Sequence, residues 1–131
     1  MRVLIDESLP LEVARALASF DVDTVHDRGW TGLRNGILLR AAIKAGLQII
    51  VTADTSIATQ QNIGRLDIAV VAIAGVRCRF PDLLPLIPDI VMAIRLARRG
   101  DVLLVRPRRP DRIGDHASSR LEWPDQLASQ A

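Results

Sequence analysis

The chain of 131 residues contains a single cysteine, Cys78, and a single lysine, Lys44. One cysteine excludes an internal disulfide and suits a reducing compartment, so a cytoplasmic setting is expected. With no Cys–His cluster, a structural zinc site has no basis. Long hydrophobic runs are also missing: the longest, residues 68–76, has nine residues, far short of the roughly 20 needed to span a bilayer. No membrane partner is expected. A secretory leader would need an apolar stretch after a basic start, and Asp6 and Glu7 interrupt it. Neither G-x-x-x-x-G-K nor G-x-G-x-x-G occurs, which removes support for a nucleotide-cofactor fold. Ser8 and Cys78 have no His–acid arrangement close to them in sequence, so nucleophilic catalysis lacks a signal.

What is present is a globular composition, 49% hydrophobic, in a length that makes one domain with its own core. Arginine supplies 16 of the 17 basic residues, and seven of them fall between Arg95 and Arg112 against Asp101 and Asp111. Arginine's planar fork suits phosphate contacts. A basic C-terminal third beside an acidic N-terminal region can guide a nucleic acid, although a solvated helix end with a charged tail accounts for the same pattern.

Apolar runs alternate with helical periodicity along the chain. Strands are expected at residues 2–5, 22–26, 47–52, 67–74 and 102–105. Between them, Ser8 is expected to cap a helix with Val13, Ala16, Leu17 and Phe20 on one face. Asn35 is expected to cap a second helix with Ile37, Leu38, Ala41, Ala42 and Ala45 on its apolar side and Gly46 at its end. A short helix is expected near residues 56–62, and a last one from about Pro88 to Arg99. Continuous apolar strands separated by helices predict a three-layer α/β/α fold around a parallel sheet of about five strands. Residues 1–106 form this domain; residues 107–131 lose all periodicity and read as a basic, polar tail.

The segment "VLIDES", residues 3–8, poses the functional question, because a buried strand ends on two carboxylates. In an open parallel sheet, ligands sit outside the carboxyl ends of the strands. Asp6 and Glu7 leave the first strand there, and Asp54 leaves the third strand at the same edge, two residues after Thr52. Three carboxylates on one rim repel one another unless a cation or protons compensate. Hard oxygen ligands point to Mg²⁺ or Mn²⁺, ions that polarise phosphates and activate water. Each acid also has a structural role open to it: Asp6 or Glu7 at a helix N-terminus, Asp54 in a turn closed on its own backbone. His26, near the end of the second strand, can act as a base or phosphate contact, or be satisfied by its neighbours. Trp30 and Arg34, in the loop beside the rim, can stack on a base and hold a phosphate; a plug between loop and helix is the structural alternative for Trp30.

"LIDESLP", "GWTGLRNGILLRAA" and "IIVTADTSIATQQN" resemble, in order and spacing, the PIN-like domain family of toxin-type nucleases (the DUF5615 group), over residues 1–105. The resemblance implies Mg²⁺-dependent RNA cleavage, with RNA as substrate, an antitoxin protein as partner and a second copy of the chain as a further candidate. It assigns Asp6 as the first acidic metal ligand, Glu7 as its catalytic neighbour and Asp54 as the acid of a T-x-D motif supported by Thr52, Asn35 and Ser56. Two departures stand out: Ile37 replaces a glutamate of the family pattern, and Ser56 replaces an Asp or Asn. These predict weak metal binding. Two other functions fit the residues: a non-catalytic PIN-like module that binds RNA or protein, and a receiver-like phosphoacceptor domain with Asp54 as acceptor. Against the receiver, the fifth strand ends in Arg106-Pro107 where a lysine belongs.

Overall fold

The five apolar runs become strands β1 (Arg2–Ile5), β2 (Asp21–Thr24), β3 (Ile49–Thr52), β4 (Ala69–Ile73) and β5 (Val102–Pro107) in the computed structural model, which describes residues 1–107 and 119–122. All five pair in parallel, in the order β2-β1-β3-β4-β5. Helices α1 (Glu12–Ala16), α2 (Asn35–Lys44), α3 (Ser56–Gln60), α4 (Phe80–Leu83) and α5 (Ile87–Leu96) cover both faces, giving the expected three layers.

Strand alternation sorts the core into two halves. Val3, Ile5, Ile49 and Val51 face a layer made by Val13 and Leu17 of the α1 region and by Leu83, Ile90 and Ile94. Leu4, Ile50, Val70 and Ala72 face the other layer, with Leu38, Leu39 and Ala42 of α2 and Ile57 of α3. None of the β1 or β3 core residues Val3, Leu4, Ile5, Ile49, Ile50 and Val51 is more than 1% exposed. Each such side chain contributes roughly 1.5–3 kcal/mol on burial, which fixes the two central strands against slippage.

The chain leaves β1 through α1 on one face to reach β2, then crosses through α2 on the other face to reach β3. β1 and β3 are therefore the neighbours at which the winding changes side, the position where such sheets open a crevice at their carboxyl ends.

Several local expectations shift. Helix α1 begins at Glu12 with Leu11 at its cap position and no side-chain cap, so Ser8 does not cap it. Helix α2 has Arg34 at its cap position, and Asn35 is its first residue rather than its cap. Its buried stripe is Leu38, Leu39 and Ala42; Ile37, expected on that stripe, is 47% exposed. Gly46 follows with φ +82, as expected of a helix terminator. The proline-punctuated stretch before α5 forms α4 and a 3₁₀ turn at Leu84–Leu86, each with a proline in its first two positions, where no N–H is required.

The segment read as a tail also contributes structure. β6 (Ser119–Glu122) pairs antiparallel with β5, Val105 opposite Leu121 and Pro107 opposite Ser119. An added edge strand is held by main-chain hydrogen bonds, which leave no apolar period to read in "SRLE". Residues 108–118 and 123–131, including His116 and Trp123, lie outside the described residues.

Candidate active site

Register brings the site together. Ile5 lies opposite Val51, and the Asp6 N–H donates to the Val51 carbonyl at 2.9 Å, so Asp6 falls beside Thr52. Both continue the strand face that carries Leu4 and Ile50, the face covered by α2 and α3. The N-terminal residues of those two helices, Asn35 and Ser56, are thereby delivered to the same rim.

Thr52 is the hub. Its side chain is 1% exposed, and its Oγ1 donates to Asp6 Oδ2 at 2.8 Å while accepting the Asp54 N–H at 2.9 Å. Asp6 and Asp54, 48 positions apart in the chain, thus share one hydroxyl. Ser8 completes the cluster: its Oγ donates to Asp6 Oδ2 at 2.6 Å, accepts the Ala53 N–H at 3.0 Å, and lies 3.3 Å from Thr52 Oγ1. Sequence reasoning took Ser8 for a helix cap and missed this role. The available signal was a hydroxyl two residues after a strand-terminal acid, the spacing of an Asx turn.

Asp54 is held from its other side. Ser56 donates to Asp54 Oδ1 from Oγ at 2.5 Å and from its N–H at 3.0 Å. The Asn35 amide lies 3.4 Å from Asp54 Oδ2 and 3.3 Å from Ser56 Oγ. The Ser56 hydroxyl, more than any other group, holds the Asp54 carboxyl below its ordinary pKa; partial burial opposes this, and the Ser56 N–H and Asn35 amide reinforce it. The Asx turn foreseen as a structural role is present, and the same turn presents Asp54 ionised at the rim.

Glu7 departs from the expected triad. The Gly32 N–H sits 3.2 and 3.3 Å from its two carboxylate oxygens, which draws Glu7 toward the β2–α2 loop and away from Thr52. Among the described residues, no three His, Cys, Asp or Glu side chains form a group able to hold a metal. The convergence expected of three carboxylates narrows to the Asp6–Asp54 pair.

Ile37 also differs from expectation. Two residues along a helix is about 200° of rotation, so a side chain at position 37 points away from the direction in which Asn35 meets Asp54. Asn35 is the α2 residue at the site. Trp30 packs against the α2 side of the core with the Arg28 guanidinium over its ring at 5.3 Å, and Arg28 in turn pairs with Asp23. One ring face is therefore covered, and Trp30 acts as the plug between loop and helix. Arg34 is exposed beside the α2 N-terminus. His26 is exposed and lines, with Asp6, Glu7, Thr24 and Thr31, a cleft of about 240 Å³ on the β2 side of the rim.

The donor set suits a hard cation. Among the described residues, the ion pairs are Arg2–Asp21, Arg28–Asp23, Arg79–Asp82 and Arg99–Asp67, so neither Asp6 nor Asp54 has a cationic partner. Every hydrogen bond to the Asp6 carboxylate among the described residues falls on Oδ2, so Oδ1 has no donor there. Mg²⁺ is commonly held by one or two carboxylates with water and substrate phosphate completing its shell, and Asp6 with Asp54 meets that minimum. No helix among the described residues is long and apolar enough to cross a membrane. Comparison with protein-family models, curated proteins and solved structures finds no match to this chain.

Proposed function

We propose that this chain is a PIN-like, Mg²⁺-dependent endoribonuclease of low intrinsic activity, acting in the cytoplasm as the toxin of a toxin–antitoxin pair. The observation that carries this reading is the Asp6–Thr52–Asp54 arrangement: two acids at adjacent strand ends, oriented by neutral hydroxyl and amide donors, neither paired with a cationic side chain among the described residues. Bound Mg²⁺, or Mn²⁺ at higher concentration, would supply phosphate polarisation and an acidified water. Asp6 and Asp54 would hold the ion, Thr52 and Ser8 would fix Asp6, and Ser56 with Asn35 would keep Asp54 ionised. Arg34 and His26, both exposed on the loop side of the rim, would supply phosphate contacts. Low activity follows from Asn35, a neutral side chain at the one position on α2 that reaches Asp54.

The test is metal titration and cleavage of end-labelled RNA by the parent chain and two variants. Asp6→Asn should abolish Mg²⁺ binding. Asn35→Asp should raise Mg²⁺ affinity about 10-fold or more and speed cleavage. Absence of Mn²⁺ and Mg²⁺ binding in both the parent and Asn35→Asp would sink the reading.

A receiver-like phosphoacceptor has one observation in its favour, the strand order β2-β1-β3-β4-β5, shared with flavodoxin-like folds. Its chemistry needs a cationic lysine near the acceptor. The chain's one lysine, Lys44, ends α2 on the opposite edge. Incubation with acetyl phosphate should leave the mass of the chain unchanged.

A further inference from the structure

Helix α5 carries apolar groups on both its faces. The inner face, Ile90, Ala93 and Ile94, is buried in the core. On the outer face, Met92 and Leu96, with Leu84 of the 3₁₀ turn before the helix, are 48%, 57% and 52% exposed, and Pro88 is exposed between them. These four residues follow one another at intervals of four, the spacing of a continuous ridge along a helix. A single exposed leucine is ordinary, whereas a connected apolar ridge marks a surface that meets another molecule.

The charges beside the ridge identify that molecule. The acid of α5, Asp89, stands near its start and Arg95 near its end. At about 100° per residue, Asp89 and Arg95 are one turn before and one turn after Met92 and lie about 60° to opposite sides of it. Pro88 and Leu96, four residues before and after, lie about 40° to opposite sides. A twofold axis through Met92, perpendicular to the helix, exchanges before with after and one side with the other. It therefore sets Asp89 of one copy against Arg95 of a second, Pro88 against Leu96, and Met92 against itself. Both charged groups lack partners within one chain. Asp89 Oδ2 is shut from solvent without a donor, and the ion pairs among the described residues include neither Asp89 nor Arg95. Arg95 stands four residues from Arg99, a spacing that brings like charges together on a helix.

The end of α5 points away from the Asp6–Asp54 rim. Arg99 pairs at 2.6 Å with Asp67, just before β4, at the amino edge of the sheet. The expectation that the arginines of this stretch guide RNA into the acidic site is therefore corrected for Arg95, Arg98 and Arg99. A partner carrying the same ridge, with its acid and base in reversed order, completes this surface, and the chain itself is such a partner. Parallel pairing would set arginine on arginine, so the charges select the antiparallel arrangement. The ten residues of α5 extend about 15 Å. The contact is thus small beside the roughly 800 Å² per partner of a standard interface, and the association is reversible.

We propose that two copies of the chain pair through α5, antiparallel about a twofold axis at Met92, with Asp89 of each copy on Arg95 of the other. The pairing is independent of the nuclease reading. Sedimentation equilibrium of the full chain in EDTA, across the micromolar range, tests it. The parent should show a reversible monomer–dimer equilibrium. Met92→Glu should weaken it about 10-fold or more, with no fall in the melting temperature at a concentration where the parent is monomeric. Arg95→Glu and Asp89→Arg should each weaken it by a similar factor, about 10-fold, by setting like charges together. An equimolar mixture of those two variants should regain the dimer, because each copy then supplies the charge that the other lacks. A parent that stays monomeric, or a dimer indifferent to Met92→Glu, would overturn the proposal. So would a mixture no more dimeric than its separate components, which would remove the antiparallel charge pairing. A melting temperature of the monomer lowered by Met92→Glu would overturn it in favour of a ridge covered by the chain itself.

Discussion

Replacing Thr52 by valine removes one hydroxyl and almost no volume, so it isolates the hub of the carboxyl-edge site. The Oγ1 donates to the Asp6 carboxylate at 2.8 Å and accepts the Asp54 N–H at 2.9 Å. A hydrogen bond to a charged group contributes roughly 1.5–3 kcal/mol and a neutral one roughly 1 kcal/mol. Two effects reduce the loss. Water can reach the half-buried Asp6 and replace part of its bond, and the added methyl gains about 0.8 kcal/mol of apolar burial. The expected net cost is about 1–2 kcal/mol, or a fall in Tm of about 4–7 °C for a domain of this size. Guanidinium unfolding in EDTA measures it without any contribution from bound metal. A double-mutant cycle with Asp6→Asn should return a coupling of about 1 kcal/mol, because each variant alone already breaks the charged bond. A cost below about 0.3 kcal/mol, or additivity within that margin, would refute the claim that Thr52 anchors the acids.

Ser56→Ala removes the largest cause of the lowered Asp54 pKa, so carboxyl-carbon NMR titration should show it rising toward the ordinary value of about 3.9. Asp54 in the parent contributes stability that is complete above that unfolded value and lost as pH falls through its lower folded value; Ser56→Ala should diminish this acid-side loss, seen in melts below about pH 4. Asn35→Asp should lower Tm without metal, through repulsion with Asp54, and regain it as Mg²⁺ is added, whereas Ile37→Glu should leave the Mg²⁺ response unchanged because position 37 faces solvent. A chain ending at Pro107 loses β6 and uncovers the β5 edge; its melting should drop by the equivalent of about 2 kcal/mol or more for the lost ladder, and an unchanged melt would show that the β5–β6 pairing adds no stability.

The layers of this fold were legible because they rest on patterns with long reach. "LQIIVT" and "DIAVVAIA" are too apolar to be covered on one side alone, and that is enough to place β3 and β4 in the centre of a parallel sheet. The position of Asp6 and Asp54 on one rim was legible for a related reason. An acid directly after a buried strand has to sit where the sheet meets water, and parallel strands all meet it at the same edge. The edge strand β6 was not legible, since it depends on the backbone of β5 and on no side-chain period.

The errors at the site share one cause, the competition between a polar side chain's local partners and its distant ones. Ser8 and Asn35 both satisfy the spacing rule for a helix cap, yet each turns instead to a carboxylate brought in by another strand: Ser8 to Asp6, Asn35 toward Asp54. An ionised acceptor makes a stronger hydrogen bond than an amide N–H at a helix end offers to a neutral hydroxyl, so once register places Asp6 and Asp54 beside them, the caps are forfeited. Glu7 too is drawn by a group distant in the chain, the Gly32 N–H 25 positions away. The uncapped starts of α1 and α2 are thus the local cost of building the site. Restoring a cap at the expense of the site, as Ser8→Ala with a new aspartate at Leu11 would do, should stabilise α1 while loosening Asp6. The Leu11→Asp change should raise Tm and Ser8→Ala should lower it. If Ser8→Ala proved neutral, the carboxylate would not be what draws Ser8 from the helix.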